Sequence, residues 1–158
     1  MPAILDSYNY SLLSIPAVWT VGIITHWHAI YLTKASKDIP PFDNRAPRAF
    51  LQKVTELAKT SRAAQQYLRT ESAQLNIYEN LGLWATAVLA GNFARLPVSF
   101  LNKVAAAYIA TRVLYCVLYV KTEQQKYTPL RSIAFLASSI LTLNLFVKAS
   151  VNLNKALW

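Results

Sequence analysis

Hydrophobic positions gather in four long runs divided by polar segments. They cover about residues 10–33, 73–93, 98–120 and 130–151, and the second is more polar at its start than at its end. Each approaches the roughly 20 residues that a helix needs to cross a bilayer core. The first run has neither a basic leading region nor a small-residue cleavage site, so it reads as a retained span. Tyr8, Tyr10, Trp27, Tyr31 and Trp158 stand near run ends, where amphipathic rings settle at headgroup level. A soluble bundle of long buried helices is the alternative. Four such runs with so few charges weigh against it. The pattern predicts an all-α, four-transmembrane-helix bundle forming a single domain over residues 1–158.

The longest polar segment, residues 34–72, has two parts. Residues 38–44 form a turn, because the tandem Pro40 and Pro41 forbid helix continuation. From Pro47 to Arg69 the pattern is helical and amphipathic: Phe50, Leu51, Val54, Leu57 and Ala58 share a stripe, with Lys53, Lys59 and Arg62 off it. Such a helix is expected to lie on a membrane surface against anionic lipid. The chain shows no internal repeat and no Gly-rich loop.

Composition adds exclusions. Apolar types make up 54% of the 158 residues, charged types 15%, and there are 3 glycines. Disorder and collagen-like structure are thereby excluded. The single Cys116 excludes a disulfide framework and any multi-cysteine metal site.

A net charge of +9 beside a mean hydropathy of +0.26 first suggests nucleic acid, but nucleic-acid binders are seldom so apolar. Position resolves the conflict. Eleven of the 16 Lys and Arg residues lie in two links: Lys34, Lys37, Arg45, Arg48, Lys53, Lys59, Arg62 and Arg69, then Lys121, Lys126 and Arg131. The opposite side has Arg95, Lys103, Lys148 and Lys155, and the N-terminal segment contributes only Asp6. By the positive-inside rule both links face the cytoplasm and both termini the lumen or exterior. The charge becomes a topology signal, and no nucleic-acid partner is expected.

Polar groups within a span need a partner or a task. Arg69, Asn76, Glu79 and Asn80 fall on roughly one helix face. An apolar setting requires Glu79 to be paired or protonated. Tyr108, Arg112, Tyr115 and Tyr119 make a stripe along the third span. Arg112 cannot shed its proton and wants an anion, either Glu79 or a ligand carboxylate. Arg131 opens the fourth span at the cytoplasmic interface, where a snorkelling anchor is the plain alternative. Together these groups suggest a pocket for an anionic, hydrogen-bonding ligand. His26 and His28, two apart, point to different faces, so no metal site is expected. Cys116 lies off the stripe and reads as a small buried apolar residue.

Three separated segments, in order, resemble the MAPEG family (membrane-associated proteins in eicosanoid and glutathione metabolism). They are Ala73-Gln74-Leu75-Asn76-Ile77-Tyr78-Glu79-Asn80, then Thr111-Arg112-Val113-Leu114-Tyr115 through Tyr119, then Pro129-Leu130-Arg131-Ser132. Asp43-Asn44-Arg45-Ala46-Pro47-Arg48 is similar to the segment before the second span in many members. The resemblance implies a homotrimer of four-helix bundles in the endoplasmic reticulum membrane, with glutathione as cosubstrate between subunits near the cytoplasmic side. It implies that Asn76 and Glu79 hold the glutathione backbone, and that Arg112, Tyr115 and Tyr119 contact its carboxylates and cysteinyl part. Arg131 matches the arginine that stabilises the thiolate, and Ser132 the adjacent hydroxyl.

The sequence departs from the family at two points. Ser72 stands where enzymes often carry an arginine, so Arg69, one turn earlier, would have to reach the same carboxylate. The link from Tyr119 to Arg131 is longer than in the mammalian eicosanoid enzymes, through Thr122-Glu123-Gln124-Gln125-Lys126. The resemblance implies a glutathione-dependent transferase, peroxidase or isomerase acting on lipophilic electrophiles from the bilayer. Its alternatives are a non-catalytic lipid-binding scaffold and a glutathione-independent biosynthetic isomerase.

Overall fold

A computed structural model of the chain describes residues 8–157, with side chains as far as Lys155; Asp6 and Trp158 lie outside the described residues. Every regular element among those residues is helical. The α-helices are α1 (Ser14–Ala35), α2 (Pro47–Leu57), α3 (Arg62–Phe93), α4 (Val98–Lys121) and α5 (Thr128–Leu157), with short 3-10 turns before α1 and α5.

Local chemistry sets the boundaries. α2 begins on Pro47, whose missing N–H costs nothing at the first helical position. α3 is capped by Ser61, whose Oγ accepts from the Ala64 amide at 3.2 Å. The reversal between α3 and α4 turns on Arg95, held at a φ of 53°, a left-handed conformation that costs a residue with a Cβ about 1–2 kcal/mol. Pro97 then leads into α4.

The four long helices coincide with the four hydrophobic runs, with two corrections. α3 starts at Arg62 rather than near residue 73, because its polar first turns continue the helix beyond the apolar run. The amphipathic pattern from Pro47 to Arg69 is broken at residues 58–61 into α2 and the start of α3. Two helices, α4 and the 125–155 stretch containing α5, are long and apolar enough to cross a membrane. α1 and α3, of 22 and 32 residues, have the length, since 20 residues rise about 30 Å. Exposed Ile133, Leu136, Ile140, Leu143 and Val147 run along α5 at alternating spacings of three and four. A continuous apolar stripe of that kind faces lipid or another subunit rather than water.

α3 is the central helix and packs against α1, α4 and α5. Its buried Trp84 stacks on Tyr108 of α4, with ring centroids 3.7 Å apart and planes 2° from parallel. The Trp84 indole N–H donates to Ser14 Oγ at 3.1 Å. Tyr108 is therefore a core residue rather than part of a polar lining. Gly22 of α1 admits the Tyr78 ring, since a Cβ there would lie 2.6 Å from it.

The residue 34–72 link is docked on the bundle. Phe50 and Val54 of α2 are buried with Ala29, Ile39, Ala64 and Tyr67. Phe42, Phe50 and Tyr67 meet edge to face at centroid separations of 5.2 and 5.7 Å. Phe50 and Val54 of the α2 stripe thus turn inward, where α2 packs on α3, while Leu51 stays exposed. His26 Nδ1 of α1 lies 2.8 Å from Glu71 Oε1 of α3, tying the same end together.

Candidate functional site

Three helices bring polar side chains together where α3, α4 and α5 meet. Asn76 comes from α3, Arg112, Tyr115 and Tyr119 from α4, and Arg131 and Ser132 from α5. On α4, spacings of three and four hold Arg112, Tyr115 and Tyr119 on one side. The core register then turns that side inward: Arg112 is fully buried and Tyr115 nearly so.

Arg112 is the inner anchor. Its Nη2 donates to the Asn76 carbonyl and to Asn76 Oδ1, both at 2.9 Å. Its Nη1 donates to Ser138 Oγ at 3.4 Å. The guanidinium carbon lies 5.1 Å from the Tyr115 ring centroid and 5.9 Å from that of Phe135. Its Nε is buried without a hydrogen-bond partner. Every partner is neutral, and no ion pair among the described residues includes Arg112. A buried cation wants an anion, because neutral dipoles only partly replace its lost hydration.

Beside it opens a cavity of about 220 Å³ lined by Asn76, Tyr115, Tyr119, Arg131, Ser132 and Phe135. Five of these six are residues that the sequence singles out. Arg131 lies over the Tyr119 ring, 4.3 Å from guanidinium carbon to centroid, a cation–π contact that fixes the side chain without neutralising it. Arg131 likewise takes part in no ion pair among the described residues. The cavity therefore offers one guanidinium group lacking a counter-anion, an amide and three hydroxyls, with buried Arg112 behind its Asn76 and Tyr115. In a low dielectric such a set is an anion receptor.

Two predicted residues stand elsewhere. Glu79 is exposed and makes no ion pair with Arg112. It sits two residues beyond buried Ile77, about 200° around the helix, so it faces away from the bundle. Asn80, on the nearer side, donates back to the Asn76 carbonyl at 2.8 Å. Arg69 is not part of the cavity lining. Its Nη2 donates to Glu123 Oε1 at 3.3 Å and its Nε to the Val120 carbonyl at 3.4 Å.

Sequence reasoning missed three residues. Phe135 and Ser138 follow Arg131 by four and seven, so the helical register alone would have put them on the pocket face. Glu123 carries no local signal, since its partners Arg62 and Arg69 lie 61 and 54 residues away. The Arg62 hydrogen bond, foremost, holds the Glu123 carboxyl below the usual carboxylate range. Outside this site, Cys116 is buried beside a second, mainly apolar cavity of about 200 Å³ between α1 and α4.

Comparison with known proteins gives one match. The MAPEG family profile covers residues 13–151, nearly the whole chain. No curated protein and no solved structure matches it. The match takes in α1 to α4, most of α5 and every residue of the pocket. The chain belongs to the MAPEG family of membrane-integral helical proteins.

Proposed function

We propose that the protein is a glutathione-dependent transferase, peroxidase or isomerase that acts on lipophilic electrophiles from the bilayer. The observation that carries this reading is Arg131 in the cavity wall with buried Arg112 bonded to the lining Asn76 behind it, neither having an acidic partner among the described residues. The orphaned Arg112 Nε is a donor that a ligand carboxylate would satisfy. Asn76, Tyr115 and Tyr119 would orient the peptide. Arg131, with help from Ser132 and Tyr119, would hold the sulfur as thiolate. A free thiol has a pKa of about 8.5, so it is mostly protonated at neutral pH. Each unit by which a guanidinium lowers that value is worth about 1.4 kcal/mol.

The working unit in this reading is a homotrimer of four-span subunits in the endoplasmic reticulum, with both termini lumenal. Glu79 supports it: a carboxylate on an outward helix face, flanked by exposed Leu75 and Leu83, needs a partner from beyond its own chain in a membrane. A neighbouring subunit would close that face over glutathione, leaving Glu79 to take its α-amino group. Ser72, exposed on α3, favours the second reading, a lipid-binding scaffold without catalysis.

Binding separates the two. Purified protein titrated calorimetrically with glutathione up to millimolar concentration should bind, and Arg112→Gln should weaken binding about 10- to 100-fold, the worth of a charge-assisted hydrogen bond. No binding by the unaltered protein would leave the scaffold.

A further inference from the structure

The α4–α5 link carries one carboxylate, Glu123, which lines a neighbouring hollow with Arg62 and Tyr127. Glu123 Oε2 accepts from Arg62 Nε at 2.7 Å and from Arg62 Nη2 in a closer contact. Its other oxygen, Oε1, accepts from Arg69 Nη2 at 3.3 Å. The hold is uneven, with two donors from Arg62 and one long bond from Arg69. The two arginines differ in setting too, because the Arg62 side chain is 81% exposed and that of Arg69 only 16%. Water can solvate Arg62 if it loses its partner. Arg69 is largely withdrawn from water and depends on Glu123 for neutralisation.

Arg69 also stands near the cavity, close enough to Arg131 of its wall for the two like charges to repel. It is two helical turns before Asn76 on α3. Its Nε reaches the carbonyl of Val120, the residue after Tyr119, whose ring carries Arg131. Guanidinium groups thus run inward from Arg62 through Arg69 and Arg131 to Arg112, and Glu123 is the one carboxylate ion-paired with any of them among the described residues.

We infer that Glu123 is an internal stand-in for a ligand carboxylate, occupying Arg69 until an incoming carboxylate displaces it. The displaced side chain keeps its two bonds to Arg62, so the exchange breaks one weak contact and makes a charge-assisted pair on a less solvated guanidinium. Charge favours the exchange. Arg62, Arg69 and Glu123 together carry one excess positive charge, which the ligand carboxylate neutralises. Arg69 thereby favours a ligand with a carboxylate able to reach it, and Glu123 lowers the affinity of every such ligand by the cost of displacement. The inference rests on the proposed reading of the cavity as a site for a peptide-like anionic thiol.

The test uses the full chain in lipid nanodiscs, titrated with glutathione and with glutathione dimethyl ester, which keeps the thiol and amino group but has no carboxylate. Glu123→Gln should bind glutathione roughly two- to five-fold more tightly than the unaltered protein, the range of a half-exposed ion pair. It should bind the diester with unchanged affinity, and Arg69→Ala combined with Glu123→Gln should abolish the gain. Because Glu123 is exposed, the single variant should melt close to the unaltered protein. Glutathione binding no tighter in Glu123→Gln, or equal gains for acid and diester, overturns the inference. In that event, glutathione binding by the unaltered protein that is lost in Arg112→Gln still upholds the reading of the pocket. Binding by neither protein overturns both.

Discussion

The two ends of the helix bundle treat buried polarity in opposite ways. At the end where the chain enters α1, neutral groups satisfy one another. Asn92 Nδ2 donates to Ser11 Oγ at 3.0 Å and to the Val88 carbonyl at 2.8 Å. Asn102 donates to the Tyr8 carbonyl and accepts from the Tyr10 amide, both at 2.8 Å. Ser14 takes the Trp84 indole proton. At the other end Arg112 and Arg131 are positioned by amide, hydroxyl and ring contacts but not neutralised. Balanced networks stabilise a fold. A pair of cations without anions stabilises it little and favours whatever anion arrives. On the proposed reading, the first end serves the bundle and the second a ligand.

The sharpest way to break this comparison is to remove one member from each end. Arg112→Met should cost glutathione affinity at least tenfold, while the ligand-free protein melts near its usual temperature, because an unneutralised buried charge contributes little to stability. Calorimetric titration beside a thermal melt reads both. Asn102→Leu should do the reverse. Losing its bonds to the Tyr8 and Tyr10 backbone should lower stability by about 1–3 kcal/mol with ligand affinity unchanged. If Arg112→Met unfolds the protein and Asn102→Leu does not, the assignment of roles to the two ends is reversed.

Smaller effects sharpen the picture within the ligand end. Ser132→Ala should raise the pKa of the bound thiol by less than about one unit, the worth of a neutral hydrogen bond, and spectroscopic pH titration would show it. Glu123 should give the smallest effect. Its carboxyl is held below the usual range chiefly by the Arg62 hydrogen bond. The clasp is therefore complete at neutral pH, and its contribution is lost only as pH falls through that depressed value, below the ordinary carboxylate region near about 4.3. A Glu123 carboxyl titrating at or above the ordinary value in a carbon-detected NMR experiment would contradict the clasp.

How far these features can be read from sequence depends on the range of the interaction. Helices follow from hydrophobic runs, and Asn76, Tyr115, Tyr119, Arg131 and Ser132 converge because each keeps a fixed register on a helix whose apolar face is evident. Spacing alone puts Arg69 and Glu79 on roughly the face of Asn76, and spacing leaves the helix free to rotate. The buried positions Ala73, Ile77 and Trp84 fix that rotation and turn Glu79 outward. The break at residues 58–61 was hidden because the apolar stripe runs through it, and only the Ser61 cap marks the restart. The His26–Glu71 and Arg62–Glu123 pairs join residues 45 and 61 apart, a separation over which periodicity carries no information.

In the proposed reading, the unneutralised guanidinium of Arg131 in the pocket wall holds an anionic thiol as its thiolate. Difference absorbance in the ultraviolet, recorded on mixing the protein with glutathione at neutral pH, tests it most directly. A thiolate band should appear in the unaltered protein and be lost in Arg131→Ala, with binding largely retained. A band of equal intensity in Arg131→Ala, or glutathione bound without any band, would contradict the claim.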